Sequence, residues 1–467
     1  MKIKSDTVKL FVLITSLLVI YSYYFVSSYG INCSNDGGHM ALASAIYHHQ
    51  EVSIDKYLGV YASDPDYAVK DGVVFSDRLP GMAFCIIPFL AYADFWSMLI
   101  PKYKEKIEHA YPRNGYYVVV ATLLSNICGV LSLFCFFLLA YKVFKISFFS
   151  SYLSMIIVGL ATVMSLESIH LFSHSLSMFL ITMAILILLY PSIFLDYRRR
   201  IYIISSIIGL ASIIELQNSL FLLPLFIYFY MNKSKDYKKR EIYQLLLSGI
   251  AIFTLFILIL LFYNYYTFDE IMIKSNKYNP FFLEEKSFIT ALSGNFFNGL
   301  DNLFTSFNNL KSYFNWSYGI RNDMPGLFVS NPVFLISISG FIMFYKSHRI
   351  QSILFISIII ISVLIAAFHV TTLIRHIYTI HLLLFFPFVF ILEYIINKRM
   401  IFLGLLVLLL SVLSFVRQIY MTSNYWGRDH IGLIFPNLDN FPLFVLLNIP
   451  ILIILIYIIY KKFYISK

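Results

Sequence analysis

The stretch Gly30 to Pro80, GINCSNDGGHMALASAIYHHQEVSIDKYLGVYASDPDYAVKDGVVFSDRLP, directly follows the first apolar segment and holds Asp36, Asp55, Asp64, Asp66, Asp71 and Asp77. In a chain that is only 13% charged, carboxylates gathered beside an apolar segment mark an aqueous loop at a membrane surface, where chemistry is commonly carried. Asp36 sits a few residues past the apolar segment, flanked by Asn35, Gly37 and Gly38. The glycines let the backbone turn and approach a ligand closely. That placement suits a catalytic carboxylate at the bilayer surface. It equally suits a cap on a helix running from Gly38 to Gln50, because Asp before an apolar-periodic run is a common helix start. The residues alone leave both readings open.

Composition sets the broad class. The chain is 59% hydrophobic and 18% aromatic, with 46 Phe and 36 Tyr among 467 residues, and its mean hydropathy is +0.77. Soluble domains are about 25% charged, so the expected fold is all-α and polytopic in a membrane. Leu10 to Ser28 follows Lys2, Lys4 and Lys9 without a small-residue cleavage site and reads as an uncleaved anchor with a cytoplasmic N-terminus. Cys33, Cys85, Cys128 and Cys135 show no metal-ligand spacing, and Cys33 with Cys85 is the candidate disulfide.

Segments long enough to cross, about 20 residues each, lie near 10 to 28, 116 to 141, 148 to 166, 171 to 191, 243 to 264, 328 to 345, 351 to 369, 377 to 395, 400 to 416 and 441 to 460. The apolar run 201 to 231 is interrupted by Glu215, Gln217 and Asn218 and reads as two short helices meeting at a polar elbow. With strict alternation, the inside loops collect Lys142, Lys145, Arg198 to Arg200, the 233 to 240 cluster, Lys346, Arg349, Lys398 and Arg399. That is the positive-inside pattern. It implies about twelve crossings and accounts for the net charge of +10 without nucleic acid. Gly81 to Ile100 is apolar enough to span, but counting it as a crossing would invert every later loop. It is therefore expected to lie against the outer leaflet, an assignment that Pro80, Pro88 and Asp94 favour. No large soluble domain is expected. The chain divides into a transmembrane module at 10 to 264 with an external loop at 30 to 115, a second external loop at 265 to 327, and C-terminal helices at 328 to 467.

This topology gathers the outer polar residues on one face: the first loop, Leu166 to His174 with Glu167, His170 and His174, the elbow at Glu215, and Arg375 with His376. Glu167 and His170 are metal-ligand types at helical spacing, but the same spacing serves to cap a helix junction.

In this order the motifs resemble the GT-C superfamily of integral-membrane glycosyltransferases, which holds the protein O-mannosyltransferases and the aminoarabinose transferase of lipid A. The resemblance spans nearly the whole chain. It rests on Asp36 through Ala45, on DGVVFSDRLPG from Asp71 to Gly81, on Glu167 or His174 in FSHSLSM, on Asn264-Tyr265-Tyr266-Thr267-Phe268, on Pro325 to Gly340, and on Arg375 in TLIRHIYTIHLLLFFP. Gly37 and Arg78 depart from residues the family often has there. The resemblance implies transfer of a sugar from a polyprenyl-phosphate donor to an acceptor on the outer face of the plasma (inner) membrane, with inversion. Asp36 would be the base, and Arg78 and Arg375 would hold the donor phosphate. Arg78 paired with Asp77, and Arg375 as a helix anchor, are the plainer readings. The cofactor is open: a divalent cation bridging carboxylate and phosphate would draw on Asp77, Glu167 and His174, which otherwise serve as surface caps. The acceptor is a glycolipid, a polysaccharide or a protein. Two other classes fit the composition: a polysaccharide polymerase or ligase, suggested by the 265 to 327 loop with Trp316, Tyr318 and Arg321, and a lipid-linked sugar transporter or flippase. The chain shows no internal repeat of the kind transporters carry.

Overall fold

The computed structural model describes residues 5–28, 30, 31, 33–102, 104, 115–190, 196–233, 238–281, 294–304, 326–369, 374–424 and 448. The fold is all-α apart from one hairpin. In chain order the helices are α1 (Ser5–Val26), α2 (Ser34–Ser44), α3 (Pro80–Leu99), α4 (Tyr116–Leu138), α5 (Phe148–Leu160), α6 (Val163–Ser168), α7 (Ser173–Leu189) and α8 (Tyr197–Ile214). They continue with α9 (Leu222–Lys233), α10 (Lys239–Phe268), α11 (Phe296–Phe304), α12 (Leu327–Ser330), α13 (Phe334–Ser347), α14 (Arg349–Phe368), α15 (His381–Phe385), α16 (Phe388–Asn397) and α17 (Ile401–Asn424).

Among the described residues seven helices are long and apolar enough to cross a membrane, and α5, α7 and α13 are shorter apolar helices. This is a multi-pass membrane protein. Twelve crossings are not all matched by long apolar helices among the described residues, and the last expected crossing, 441 to 460, lies outside them apart from Asn448. Helix ends follow local chemistry. Asp196 caps α8 by accepting from the Arg198 N–H, as a short acidic side chain does for the otherwise unpaired amides of a first turn. The polar elbow falls where expected: α8 stops at Ile214, Glu215 is extended, and a 3-10 turn over Leu216–Phe221 leads into α9. Aromatic packing joins the two halves of the chain. Phe144, at the end of the α4 segment, packs edge-on against Phe344 of α13 at 5.3 Å and close to Phe386 at 5.0 Å. Such aromatic contacts add to plain area burial.

The stretch from Ser34 to Pro80 carries more regular structure than a helix-only reading implies. Tyr67–Lys70 (β1) and Val73–Ser76 (β2) pair antiparallel, with Tyr67 opposite Ser76 and Lys70 opposite Val73. The two-residue turn is Asp71-Gly72, both at positive φ (53° and 80°), which matches the right-handed twist of the strands. The Lys70 ammonium ties this hairpin to the end of α10, donating to the Phe268 carbonyl and the Asp269 carboxylate, both at 2.7 Å.

Helix α3 is one continuous 20-residue helix with Pro80 in its first turn and Pro88 inside. It is long and apolar enough to cross. Its two ends are fixed to other elements. Gly81 lies against the Ile213 backbone at the end of α8, where a Cβ would come within 2.6 Å of the carbonyl. At the far end the Tyr116 hydroxyl donates to the Ala93 carbonyl at 2.9 Å, and the Tyr117 and Tyr47 hydroxyls donate to the Asp94 carboxylate at 2.6 and 2.7 Å.

Candidate functional site

Asp36 is fully buried, and it is not the cap of a helix beginning at Gly38. Helix α2 starts at Ser34 with Cys33 at the cap position, so Asp36 lies in its first turn. Gly37 and Gly38 are helical rather than part of a turn. A Cβ on Gly37 would come within 1.9 Å of the Tyr61 carbonyl oxygen, so its role is to let α2 press onto the 57–62 turn. Carboxylates in a first helical turn face the unpaired amides and the positive end of the helix dipole. The Cys33 thiol donates to Asp36 Oδ1 at 3.6 Å. None of the four cysteines is in a disulfide, so the candidate Cys33 to Cys85 pair is not bonded.

Arg78 adjoins this turn, its Cγ 3.4 Å from where a Gly38 Cβ would stand. It is ion-paired on both sides, through Nη2 to Asp66 and through Nε to Asp77 at 3.2 Å. Nη1 makes no hydrogen bond to any described residue, and the side chain keeps 27% exposure. Burial works against the guanidinium charge, but Asp77 and Asp66 outweigh it and raise its pKa. Burial pushes the Asp77 carboxyl up, opposed by Arg78 and by a hydrogen bond from Asn279. The Ser34 hydroxyl donates to Asp66, so Asp66 links α2 to Arg78. Asn279, in the segment after α10, closes the cluster by donating to Asp77 Oδ2 and to the Pro65 carbonyl, both at 2.8 Å. Asp66 was legible only as one more loop aspartate. Its partners lie 32 residues back and 12 ahead, and no local pattern marks such pairs.

A second cluster sits where α7, the elbow and the Ile374–Ile380 turn meet. His174 Nδ1 stands 2.6 Å from Glu215 Oε1. Glu215 also accepts from Ser173 Oγ at 2.7 Å, from Thr379 Oγ1 at 2.8 Å and from Gln217 Nε2 at 3.3 Å. Burial raises the pKa of Glu215, but His174 and the hydroxyl donors outweigh that effect and hold it down at about 2. Glu167 is buried at the end of α6, and with His174, Met164, Met178, Tyr378 and His381 it surrounds a gap with no room for a water molecule. His39 of α2 is buried. Burial first, and then the charge of Arg78, lower its pKa to about 3, with Glu215 and His174 also acting on it.

The structure thus brings Arg78 and Asp77 together, with Asp36 buried in the first turn of the adjacent helix α2, and places Glu167 near His174. Among the described residues no three His, Cys, Asp or Glu side chains form a group able to hold a metal ion. The shared cation site of Asp77, Glu167 and His174 is not assembled, because Asp77 is committed to Arg78 and Asn279. Arg375 opens the Ile374–Ile380 turn, but its side chain lies outside the described residues, as do Trp316, Tyr318 and Arg321. The Asn264 amide donates to the Met272 and Ile273 carbonyls at 2.7 and 3.2 Å, a structural closure of the loop after α10.

No known family pattern matches the chain, and no curated protein matches it in sequence. Its fold is similar to that of ArnT from Cupriavidus metallidurans bound to undecaprenyl phosphate, with a TM-score of 0.51 and 9% identity over 80% of this chain and 58% of that one. The archaeal oligosaccharyltransferase of Archaeoglobus fulgidus aligns with a TM-score of 0.49 and 12% identity over 91% of this chain and 55% of that one. The chain therefore shares its overall fold with that ArnT structure. It spans little more than half the length of that ArnT.

Proposed function

We propose that this protein is a membrane glycosyltransferase that moves a sugar from a polyprenyl-phosphate donor to an acceptor on the outer face of the plasma (inner) membrane, with inversion. The reading is supported by a buried carboxylate, Asp36, in the first turn of α2, the helix that Arg78 adjoins, and by the Nη1 of Arg78, which no described residue engages. In a single displacement Asp36 takes the acceptor hydroxyl proton as the oxygen attacks the anomeric carbon. The bond from that carbon to the carrier phosphate breaks, and the phosphate leaves with its electron pair. Arg78 receives the developing charge through its unengaged nitrogen, and Arg375 is the second proposed phosphate contact. Asp66 and Asp77 hold the guanidinium in place and partly offset its charge. The likeness to ArnT, a structure that holds undecaprenyl phosphate, supports a lipid-linked phosphate as the donor. No step is assigned to a cation.

The test is release of carrier phosphate by purified protein in lipid, supplied with a panel of polyprenyl-phosphate sugars. Asp36→Asn keeps size and hydrogen bonding but cannot accept a proton, so transfer should fall about a hundredfold or more while donor binding and folding persist. Asp71→Asn is the control: Asp71 is exposed at the hairpin tip at positive φ, a conformation Asn also tolerates. Near-normal turnover by Asp36→Asn would remove the base assignment.

A further inference from the structure

Asn279 is 2% exposed, and both ends of its amide are engaged. Nδ2 donates to Asp77 Oδ2 and to the Pro65 carbonyl, and Oδ1 accepts from the Phe281 N–H, all at 2.8 Å. Two acceptors and one donor around a single side chain call for an amide, which offers two N–H groups beside an oxygen. A carboxylate at this position would set oxygen against oxygen at Asp77 and Pro65.

These partners belong to the two carboxylates that grip Arg78. Asp77 is held by Oδ2, which leaves Oδ1 to stand 3.2 Å from Arg78 Nε. Asp66, paired with Nη2, directly follows Pro65, so the same amide also fixes the backbone that carries the second carboxylate. With Nε and Nη2 turned to these two groups, the orientation of the planar guanidinium is set and Nη1 is the corner left over. Closing the loop does not require this amide, because the segment after α10 has fastenings of its own. Lys70 donates to Asp269 at 2.7 Å, and the Asn264 amide holds the Met272 and Ile273 carbonyls. The Tyr278 hydroxyl donates to Glu270 at 2.7 Å, and its ring stacks on Phe268 at 5.1 Å.

We propose that Asn279 is a positioning residue for the donor phosphate: by holding Asp77 and the chain before Asp66, it fixes the Arg78 guanidinium with Nη1 presented to the carrier phosphate. The proposal rests on the glycosyl-transfer reading above, in which Arg78 receives that phosphate. Arginine differs from a point charge in its fixed, planar set of donors, so loosening the two carboxylates costs phosphate affinity without removing any charge.

Asn279→Ala and Asn279→Ser both remove the amide, and both are neutral, so neither alters the charge at the site. Purified wild type and variants in detergent are titrated with undecaprenyl phosphate and with undecaprenol, which lacks the phosphate, and their melting is followed. Wild type should bind the phosphate the more tightly. Both variants should lose at least about threefold of that preference, the lower range of coupling between residues in contact, with undecaprenol affinity unchanged. A general loosening of the fold weakens both ligands alike and leaves the ratio where it was. A wild-type ratio in both variants would overturn the positioning role and leave glycosyl transfer standing. Loss of cooperative melting in both variants would likewise overturn it, making Asn279 a residue of the fold. Equal binding of the two ligands by wild type would remove the phosphate contact at Arg78 and this proposal with it.

Discussion

Arg78 is placed against two carboxylates, so its substitution tests folding before it tests catalysis. Removing it leaves Asp66 and Asp77 side by side without their counter-charge, and Asp77 is nearly buried. Breaking a buried ion pair costs about 3–5 kcal/mol, and the partial exposure of Arg78 reduces that to roughly 1–3 kcal/mol. Arg78→Ala and Asp66→Asn should each lower the thermal midpoint in detergent. Arg78→Gln combined with Asp66→Asn should recover part of the loss, because residues in contact are not additive. Strict additivity would mean that the pair carries no coupling. Asp66→Asn is thus no silent loop change, although in the sequence Asp66 is indistinguishable from Asp64 two residues earlier. Its importance comes from Ser34 and Arg78, neither of which is its neighbour in the chain.

At the scale of elements, α2 is set by contact rather than by propensity. Two consecutive glycines argue against a helix by about 1 kcal/mol each relative to Ala, and the sequence accordingly reads as a turn there. The helix persists because the Gly37 position presses on the Tyr61 carbonyl, where any side chain would collide. Gly37→Ala should therefore push α2 off the 57–62 turn, with a lower thermal midpoint and loss of any activity that needs Asp36. Gly38→Ala meets nothing closer than 3.4 Å and should hold or raise the midpoint, since Ala favours the helix. A Gly37→Ala protein as stable as wild type would show that the approach is not needed. The β-hairpin, by contrast, was open to local reading: Asp-Gly between YAVK and VVFS is a strong hairpin signal. Attention to helices alone passes over it.

For the whole molecule, the loop charges and the ends of α3 together make a topological prediction. In a variant without the four natural cysteines, single cysteines at Asp64 and Lys102 should react with an impermeant thiol reagent from outside, and one at Lys239 only from the cytoplasm. External labelling at Lys239 would invert the topology. Protection of the Lys102 position, which is exposed, would mean that α3 crosses the bilayer.

Taken by itself, the amino-acid sequence determined the class and general architecture of this protein. A mean hydropathy of +0.77 and long apolar segments leave lipid as the only solvent for most of the chain, and in lipid the backbone must satisfy its own hydrogen bonds within helices. The polar elbow at Glu215 was legible for the same reason, since polar residues interrupt such a helix where they can meet water or each other. The assembly of the clusters belonged to the tertiary structure. Asp66 with Arg78, His174 with Glu215 and Thr379, and Asn279 with Asp77 join residues from 12 to 202 positions apart. Each of these side chains has the same local chemistry whether or not its partner arrives, and the partner arrives only through the packing of helices whose apolar faces carry no record of it.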